Sequence, residues 1–301
     1  YRVFVTQYRT GETDRPENNM QDIALPLATI DYRVVGPEDS PHPPVVFIHG
    51  VLVDGHLWDR TADLLAARGY RCYQPTLPLG SHTKPADPMQ ELSPQTLARA
   101  INDFLDALGL RDVTLVGNDS GGGICQFLVN IDDSRIGRLV LTNCDTFDKF
   151  PPFPFNIMFS SMRGDRTIKA SIAATKPTAI RQSVLGFGAL TRTAEPELTR
   201  SWIDPALSDK RIRLDLARLL RNLNGAELDD MTHRMAADFD KPLVLIWGQA
   251  DKAFKPEYAR RLHEMMPNST LIEVPGVSTF IPLDDPESVA NGIAEVTVSA
   301  G

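Results

Sequence analysis

Cysteine is scarce in this chain of 301 residues. The three cysteines, Cys72, Cys125 and Cys144, are odd in number and lack the C-x-x-C spacing of many metal and redox sites. Each lies in an apolar strand or helix pattern. We therefore expect buried thiols in a reducing, cytoplasmic compartment, with neither a disulfide framework nor a metal site.

Long apolar runs and basic runs are also missing. No stretch approaches the roughly 18 to 20 apolar residues of a membrane-spanning helix, so we expect no membrane partner. The formal net charge is −8 with no long basic run, which argues against a nucleic-acid partner. Because the first residue is Tyr1, trimming of the native N-terminus stays open. We expect no cofactor, and the sequence does not indicate an oligomeric state.

The most informative stretch is VTLVGNDSGGG, residues 113–123. Its aliphatic start predicts a strand, its small residues a sharp turn, and the apolar segment from Ile124 a helix. On the pattern Gly-x-nucleophile-x-Gly, Gly117 and Gly121 take the glycine positions and Asp119 takes the nucleophile position. Such a turn needs glycines because it strains its central residue and brings strand and helix close together.

Two other interpretations of this stretch stay open. A shifted frame makes Ser120 the nucleophile, but it puts Asn118, which carries a Cβ atom, at a glycine position. A glycine-rich turn between strand and helix can also serve packing alone, or hold a phosphate at a helix N-terminus.

Strand and helix patterns alternate along most of the chain, which predicts an α/β fold with a mostly parallel central sheet flanked by helices. A polar stretch at 11–21 indicates a loop. The predicted strands are residues 2–8, 27–35, 45–48, 70–74, 113–116, 138–143, 243–247 and 270–274.

The alternation stops between residues 145 and 240, where only helical patches occur. This predicts a helical cap inserted into a core of residues 1–144 and 241–301. The cap begins with aromatic residues and methionines, which indicate an apolar substrate chamber or contacts that attach the cap to the core. The candidate pocket residues are Phe147, Phe150, Phe153, Phe155 and Met158.

Taken in order, the motifs resemble the α/β-hydrolase superfamily over residues 28–297. They are His49-Gly50 after a buried strand, the loop PTLPLGSH from Pro75, the elbow at 113–123, the cap, and WGQAD at 247–251. An aspartate at the elbow resembles the haloalkane dehalogenases and epoxide hydrolases. In that branch the carboxylate attacks carbon, and a histidine-activated water hydrolyses the resulting ester.

The resemblance also implies roles for other residues. The backbone N–H groups of Val51 and Ser120 would form the oxyanion hole. Asp251 would be the acid that orients the base, although an aspartate there can instead cap a helix.

The sequence departs from this branch where the base is expected. In the loop PGVSTFIP, residues 275–282, Thr279 stands at the position of the family's histidine. A threonine hydroxyl is no base near neutral pH, and loss of the base of a triad costs on the order of 10⁶ in rate. His82, in a loop after a strand, is the best replacement candidate. His49 is expected to be structural, and its alternative as an additional site residue stays open, as it does for Asn118.

Further departures concern the leaving group and a second acid. The position after the nucleophile, where dehalogenases carry a tryptophan that binds halide, holds Ser120. The cap tyrosines of epoxide hydrolases have no counterpart, because no tyrosine occurs between Tyr73 and Tyr258. Asp145 either faces the site as an additional acid or starts the cap loop.

Three functions remain open at this point. The first is hydrolysis of a small apolar substrate through Asp119 with an atypical base. The second is a lyase, isomerase or cyclase that uses Asp119 as an acid or base. The third is a catalytically silent module that binds an apolar ligand.

Overall fold

The computed structural model describes residues 20–298, in which eight strands form one sheet in the order β1-β2-β4-β3-β5-β6-β7-β8. The strands are β1 (Met20–Ala24), β2 (Thr29–Val35), β3 (Val45–Ile48), β4 (Cys72–Thr76), β5 (Val113–Asp119), β6 (Ile136–Cys144), β7 (Leu243–Gly248) and β8 (Ser269–Val274). Strands β3 to β8 are parallel, whereas β2 pairs antiparallel with β1 and β4. The predicted α/β fold with a mostly parallel sheet is confirmed.

Helices cover both faces of the sheet. They are α1 (Asp59–Ala67), α2 (Pro94–Ala107), α3 (Ser120–Ile131), α4 (Phe155–Ser161), α5 (Asp165–Ala174), α6 (Thr178–Arg181), α7 (Pro196–Ser208), α8 (Lys210–Arg221), α9 (Gly225–Asp238), α10 (Pro256–Met265), α11 (Ile281–Asp284) and α12 (Pro286–Val298). One apolar core joins α2, α3, α9 and α10 to the sheet, and a second joins α1 and α12 to its other face. Because both faces are covered, central strands such as β3 are apolar at every position.

The N-terminal part of the sheet differs from the sequence prediction. The predicted loop at 11–21 overlaps β1, in which Met20 pairs with Arg33 and Ala24 pairs with Thr29. This strand has only one buried residue, so it carries no buried-strand signal and forms through its pairing with β2. The predicted strand at 2–8 lies outside the described residues.

The segment between β6 and β7 contains helices α4 to α9 and no strand longer than an isolated bridge. Helix α9 lies against α3: the Asn130 amide donates to the Met231 carbonyl (2.9 Å), and the Thr232 hydroxyl donates to Gln126 (2.7 Å). Helix α9 falls within the predicted cap range but packs on the core through α3. The cap limits at 145 and 240 remain a prediction. Over residues 20–298, no helix is long and apolar enough to cross a bilayer.

Candidate active site

Asp119 is the last residue of β5, and α3 begins at the next residue. Its φ of 53° is left-handed, which is strained for a residue with a side chain. The turn is also crowded. A Cβ atom on Gly121 would lie 2.5 Å from the His49 carbonyl oxygen, and one on Gly117 would lie 2.6 Å from the Cα atom of Gly122 in α3. The small residues are therefore required by the close passage of strand and helix.

The carboxyl group of Asp119 occupies space left by Gly50, because a Cβ atom there would collide with it. The Ser120 hydroxyl lies 3.5 Å from Oδ1 of Asp119. Loss of solvent around the carboxyl raises the pKa of Asp119 from 3.8 to about 7; the Ser120 backbone N–H opposes this rise and the charge of Asp251 adds to it. Near neutral pH the group can therefore act as a carboxylate or as an acid.

Asp251 lies beyond β7 and accepts four hydrogen bonds. Oδ1 accepts from the backbone N–H groups of Ala253 (2.8 Å) and Phe254 (3.0 Å). Oδ2 accepts from the Asn143 amide and the Thr279 hydroxyl, both at 2.8 Å. Burial raises the pKa of Asp251 to about 6, although these four donors lower it. Asp251 is not a helix cap, because α10 begins at Pro256 with Lys255 as its N-cap. Its bonds to Ala253 and Phe254 hold the turn before that helix, and its other oxygen faces Thr279.

Two asparagines connect this acid to the elbow. Asn143, at the end of β6, donates to Asp251 and accepts from the Gly248 backbone N–H (2.6 Å). The Asn118 amide donates to Thr142 (2.9 Å) and to the Thr279 carbonyl (2.8 Å). The role of Asn143 was not expected from the sequence, although a polar residue at the carboxyl end of a central strand is a usable signal for a site.

His82 is buried between its own loop and helix α8. Nδ1 accepts from the Gly80 backbone N–H (3.2 Å), and Nε2 lies 3.1 Å from Oδ2 of Asp215. The same Asp215 oxygen accepts from the Ala86 backbone N–H (2.8 Å). Both ring nitrogens are engaged, and within residues 20–298 no histidine shares a hydrogen bond with Asp119 or Asp251.

His49 braces the loops at the sheet edge. Its Nδ1 lies 2.9 Å from the Gly50 carbonyl oxygen, and its Nε2 accepts from the Leu77 backbone N–H (2.9 Å). Burial lowers the pKa of His49 to about 4, so the ring is neutral. Val51 follows His49 by two residues in the chain, and its role in an oxyanion hole remains a prediction.

Asp145 follows β6 and is fully buried, with both carboxyl oxygens lacking a hydrogen-bond partner in the described part of the chain. Its backbone N–H donates to the Asp119 carbonyl (3.3 Å). Burial first, and then the charge of Asp119, raise the pKa of Asp145 well above its usual value. The structure therefore places a second acidic side chain beside the elbow.

The five candidate pocket residues do not form one cluster. Phe147 lies beneath the Arg261 guanidinium (3.9 Å to the ring centroid), and Phe150 packs near Phe127 of α3 (6.5 Å between centroids). Phe153 and Met158 are 68% and 38% exposed. Phe155, by contrast, packs against both cores. The first two rings attach the cap to the core, and an apolar chamber over Asp119 remains a prediction.

The described cysteines are buried and free, and residues 20–298 contain no group of three metal-ligating side chains. Burial raises the pKa of the Cys72 and Cys125 thiols. These thiols therefore behave as apolar packing groups.

The chain matches the alpha/beta hydrolase fold family over residues 43–286. It is 26% identical over 275 residues to haloalkane dehalogenase 2 of Mycobacterium tuberculosis, covering 86% of this chain and 89% of that protein.

Solved structures show the same architecture. A haloalkane dehalogenase from Bradyrhizobium elkani superposes with a TM-score of 0.75 at 20% identity, covering 93% of this chain and 99% of that chain. A candidate epoxide hydrolase from Pseudomonas aeruginosa gives a TM-score of 0.76 at 19% identity, covering 96% and 98%. At these identities the structural likeness establishes the fold.

Proposed function

The chain belongs to the alpha/beta hydrolase fold family, and we propose that it hydrolyses a small apolar substrate through attack of Asp119 on carbon. The carrying observation is the strained Asp119 at the elbow, with its carboxyl in the space left by Gly50. A pocket that only binds a ligand has no evident need for this strain. The dehalogenase and candidate epoxide hydrolase among its relatives support the same chemistry.

The proposed reaction has two steps. A carboxylate oxygen of Asp119 forms a bond to a substrate carbon while the leaving group departs with the electrons of its own bond, which produces an ester. Water then adds to the ester carbonyl, and the backbone N–H groups of Val51 and Ser120 stabilise the developing oxyanion. The Asp119 carboxylate is regenerated, and the alcohol and one proton are released to solvent.

The second step lacks the usual base. Thr279 donates to Asp251 in the position from which a base would be oriented, and its hydroxyl does not accept a proton near neutral pH. His82 as a replacement base remains a prediction, and its two engaged nitrogens argue against it. We propose instead that His82 and Asp215 hold the loop against helix α8. Because no base activates the water, we expect ester hydrolysis to be slower than ester formation.

A second function, proton transfer by Asp119 without an ester, is favoured by one observation. Burial raises the pKa of Asp119 to about 7, the range in which a general acid or base is most effective. Such an enzyme would turn over its substrate without a covalent adduct on Asp119, so the two functions are experimentally separable.

The test compares wild type with Asp119→Asn on 1-bromohexane and 1,2-epoxyhexane, by release of bromide and diol. Asparagine has nearly the same size and tolerates a left-handed backbone. We expect turnover to fall by on the order of 10⁴ or more. An unchanged rate would remove Asp119 from the mechanism, and retained binding without any wild-type turnover would favour a ligand-binding module.

A further inference from the structure

Exposed apolar side chains are concentrated in the cap segment, residues 153–185. Nine large apolar side chains are exposed in the part of the chain that the structure describes, and six of them lie in this segment. The six are Phe153, Ile157, Met158, Ile180, Val184 and Leu185. Single exposed apolar residues are ordinary on a protein surface, whereas a concentration of them marks a surface that binds an apolar partner.

The cap segment is also basic. It holds five basic residues and one acidic residue, which gives a net charge of +4 within a chain of net charge −8. Four of the basic residues are exposed, namely Arg163, Arg166, Lys169 and Lys176. Among the described residues none of these four forms a salt bridge, and the single acid, Asp165, pairs instead with Arg213 (2.6 Å). Four positive charges are therefore available to an anionic partner.

Both long helices of the cap segment attach to the protein by one side only. In α5, Ile168 and Ile172 are buried, whereas Arg166 and Lys169, three positions apart, share the opposite face and are exposed. In α4 only Phe159 is buried. The outer sides of these helices thus present apolar and basic side chains to solvent.

The two ends of the cap segment are anchored at the same place. Phe155, near its start, and Phe187, just after its end, each pack against both apolar cores. One side chain reaches both cores only where the cores meet. Phe187 also contacts Trp202 (5.0 Å between ring centroids), and Trp202 contacts Phe280, the neighbour of Thr279 (5.8 Å). The cap segment is therefore connected to a loop of the candidate active site.

We propose that the cap segment binds the surface of an anionic lipid membrane. Its exposed apolar side chains enter the boundary between headgroups and lipid tails, and its four exposed cations contact lipid phosphates. Segments that bind at such a boundary combine these two features. The sequence argued against a membrane partner because no spanning segment occurs, and surface binding requires none. The inference goes beyond the proposed function and does not depend on the reaction that Asp119 performs.

Other occupants match only one of the two features. A nucleic acid would neutralise the cations but leave the apolar side chains in water. A second copy of the chain, related by a twofold axis, would cover the apolar side chains but bring the four cations close to the same four cations. A lipid surface accommodates both kinds of side chain at once.

The test measures sedimentation of the full chain with sucrose-loaded vesicles. One set is made of phosphatidylcholine alone, and the other of equal parts phosphatidylcholine and phosphatidylglycerol. We expect a partition coefficient at least ~10-fold higher for the anionic vesicles. It should fall as NaCl is raised from about 0.05 M to about 0.5 M, because salt screens the attraction. Absence of binding, or equal binding to both vesicles, would overturn the proposal.

Removing charge from the cap segment should weaken this binding. We expect Lys169→Gln combined with Lys176→Gln to lower the partition coefficient on anionic vesicles by at least ~10-fold, since each cation near such a surface contributes roughly fivefold. The matched control is Lys252→Gln combined with Lys255→Gln. These two lysines are also exposed and, among residues 20–298, form no salt bridge. Equal losses in the two double variants would mean that only the total charge matters.

That result would contradict a binding surface in the cap segment. Removing apolar area gives an independent test: Ile157→Ser combined with Leu185→Ser should also lower the partition coefficient by at least ~10-fold. Met89→Ser is the control, because Met89 is 89% exposed but lies outside the segment. An unchanged partition coefficient in the folded Ile157→Ser, Leu185→Ser variant would show that the apolar side chains do not bind lipid. Thermal unfolding establishes that each variant folds.

Two further results would assign the cap segment to another occupant. A dimer of wild type in light scattering that Ile157→Ser combined with Leu185→Ser converts to a monomer, without vesicle binding, would indicate self-association. Binding of double-stranded DNA that requires the lysines but not the apolar side chains, again without vesicle binding, would indicate a nucleic-acid surface. Vesicle binding by a protein that turns over no substrate would contradict the proposed function and support this inference.

Discussion

The Thr279 hydroxyl donates a 2.8 Å hydrogen bond to Oδ2 of Asp251. In the proposed function, the Thr279 hydroxyl occupies the place of the base that Asp251 would orient. A threonine hydroxyl cannot accept a proton near neutral pH. Both residues are buried, and Oδ2 also accepts from Asn143. In the proposed function Asp251 is the acid and has no base to orient, which predicts a site that forms an ester faster than it opens one.

Restoring a base should accelerate ester hydrolysis. We expect Thr279→His to increase the rate at which a preformed Asp119 ester is released by at least ~100-fold, because Asp251 can orient the imidazole. Thr279→Val is the matched control, since it removes the hydroxyl without adding a base. Thermal unfolding of both variants establishes that they fold. Equal release rates for folded Thr279→His and Thr279→Val would contradict the role given to this position.

The rate of ester formation should depend on the ionisation of Asp119. Burial raises the pKa of this carboxyl from 3.8 to about 7, and only the carboxylate attacks carbon. The rate with 1-bromohexane should therefore rise with pH through about 7 and level off above it. A profile that is flat from pH 5 to pH 9 would show that Asp119 is already ionised, or that another group reacts.

The same shift affects folding stability in the opposite direction. The folded protein keeps the Asp119 proton up to about pH 7, whereas an unfolded chain releases it near 3.8. Folding stability thus decreases as the pH rises through this window. Asp119→Asn should remove this contribution, so its unfolding midpoint should exceed that of wild type at pH 8 by more than it does at pH 4. An equal difference at both values would argue against the raised pKa.

The elbow should not tolerate an added methyl group. A Cβ atom on Gly121 would lie 2.5 Å from two backbone carbonyl oxygens, whereas one on Gly164 would have no neighbour within 4 Å. We expect Gly121→Ala to destabilise the protein by about 3 kcal/mol. Gly164→Ala, the control, should change stability by less than about 1 kcal/mol. Denaturant unfolding measures both, and similar effects would refute the crowding.

Two roles of His82 can be distinguished by experiment: a structural role that holds its loop against helix α8, and a role as the base. In the structural role, His82→Ala should lower stability by roughly 2 kcal/mol, because Asp215 and the Gly80 N–H lose a buried partner. Asp215→Ala should have a comparable effect. A base would instead show a loss of at least ~10-fold in ester release together with an altered pH profile. That kinetic result, in a variant of unchanged stability, would reverse the assignment.

Much of the sheet and the elbow could be predicted from local sequence. Buried strands such as β3 are continuous apolar runs, and the glycines around Asp119 mark a turn that only small residues permit. Strand β1 escaped prediction because it has one buried residue and depends on pairing with β2. Local patterns do not encode such a partner.

Contacts between distant side chains were beyond prediction for the same reason. Asn143 and Asp251 are 108 positions apart and meet only because β6 and β7 are neighbours. His82 and Asp215 are 133 positions apart, so their pairing could not be anticipated. The position of Asp145 was foreseen as an open alternative, but its lack of partners is a property of the packed structure.

The claim that Asp119 attacks carbon is tested most directly by intact-protein mass spectrometry after incubation with 1-bromohexane or 1,2-epoxyhexane, followed by peptide mapping. We predict an accumulating adduct, of hexyl from the bromide or hydroxyhexyl from the epoxide, on the peptide that contains Asp119. Asp119→Asn should carry none. An adduct on another residue, an adduct that persists in Asp119→Asn, or turnover without any adduct on Asp119 would contradict this prediction.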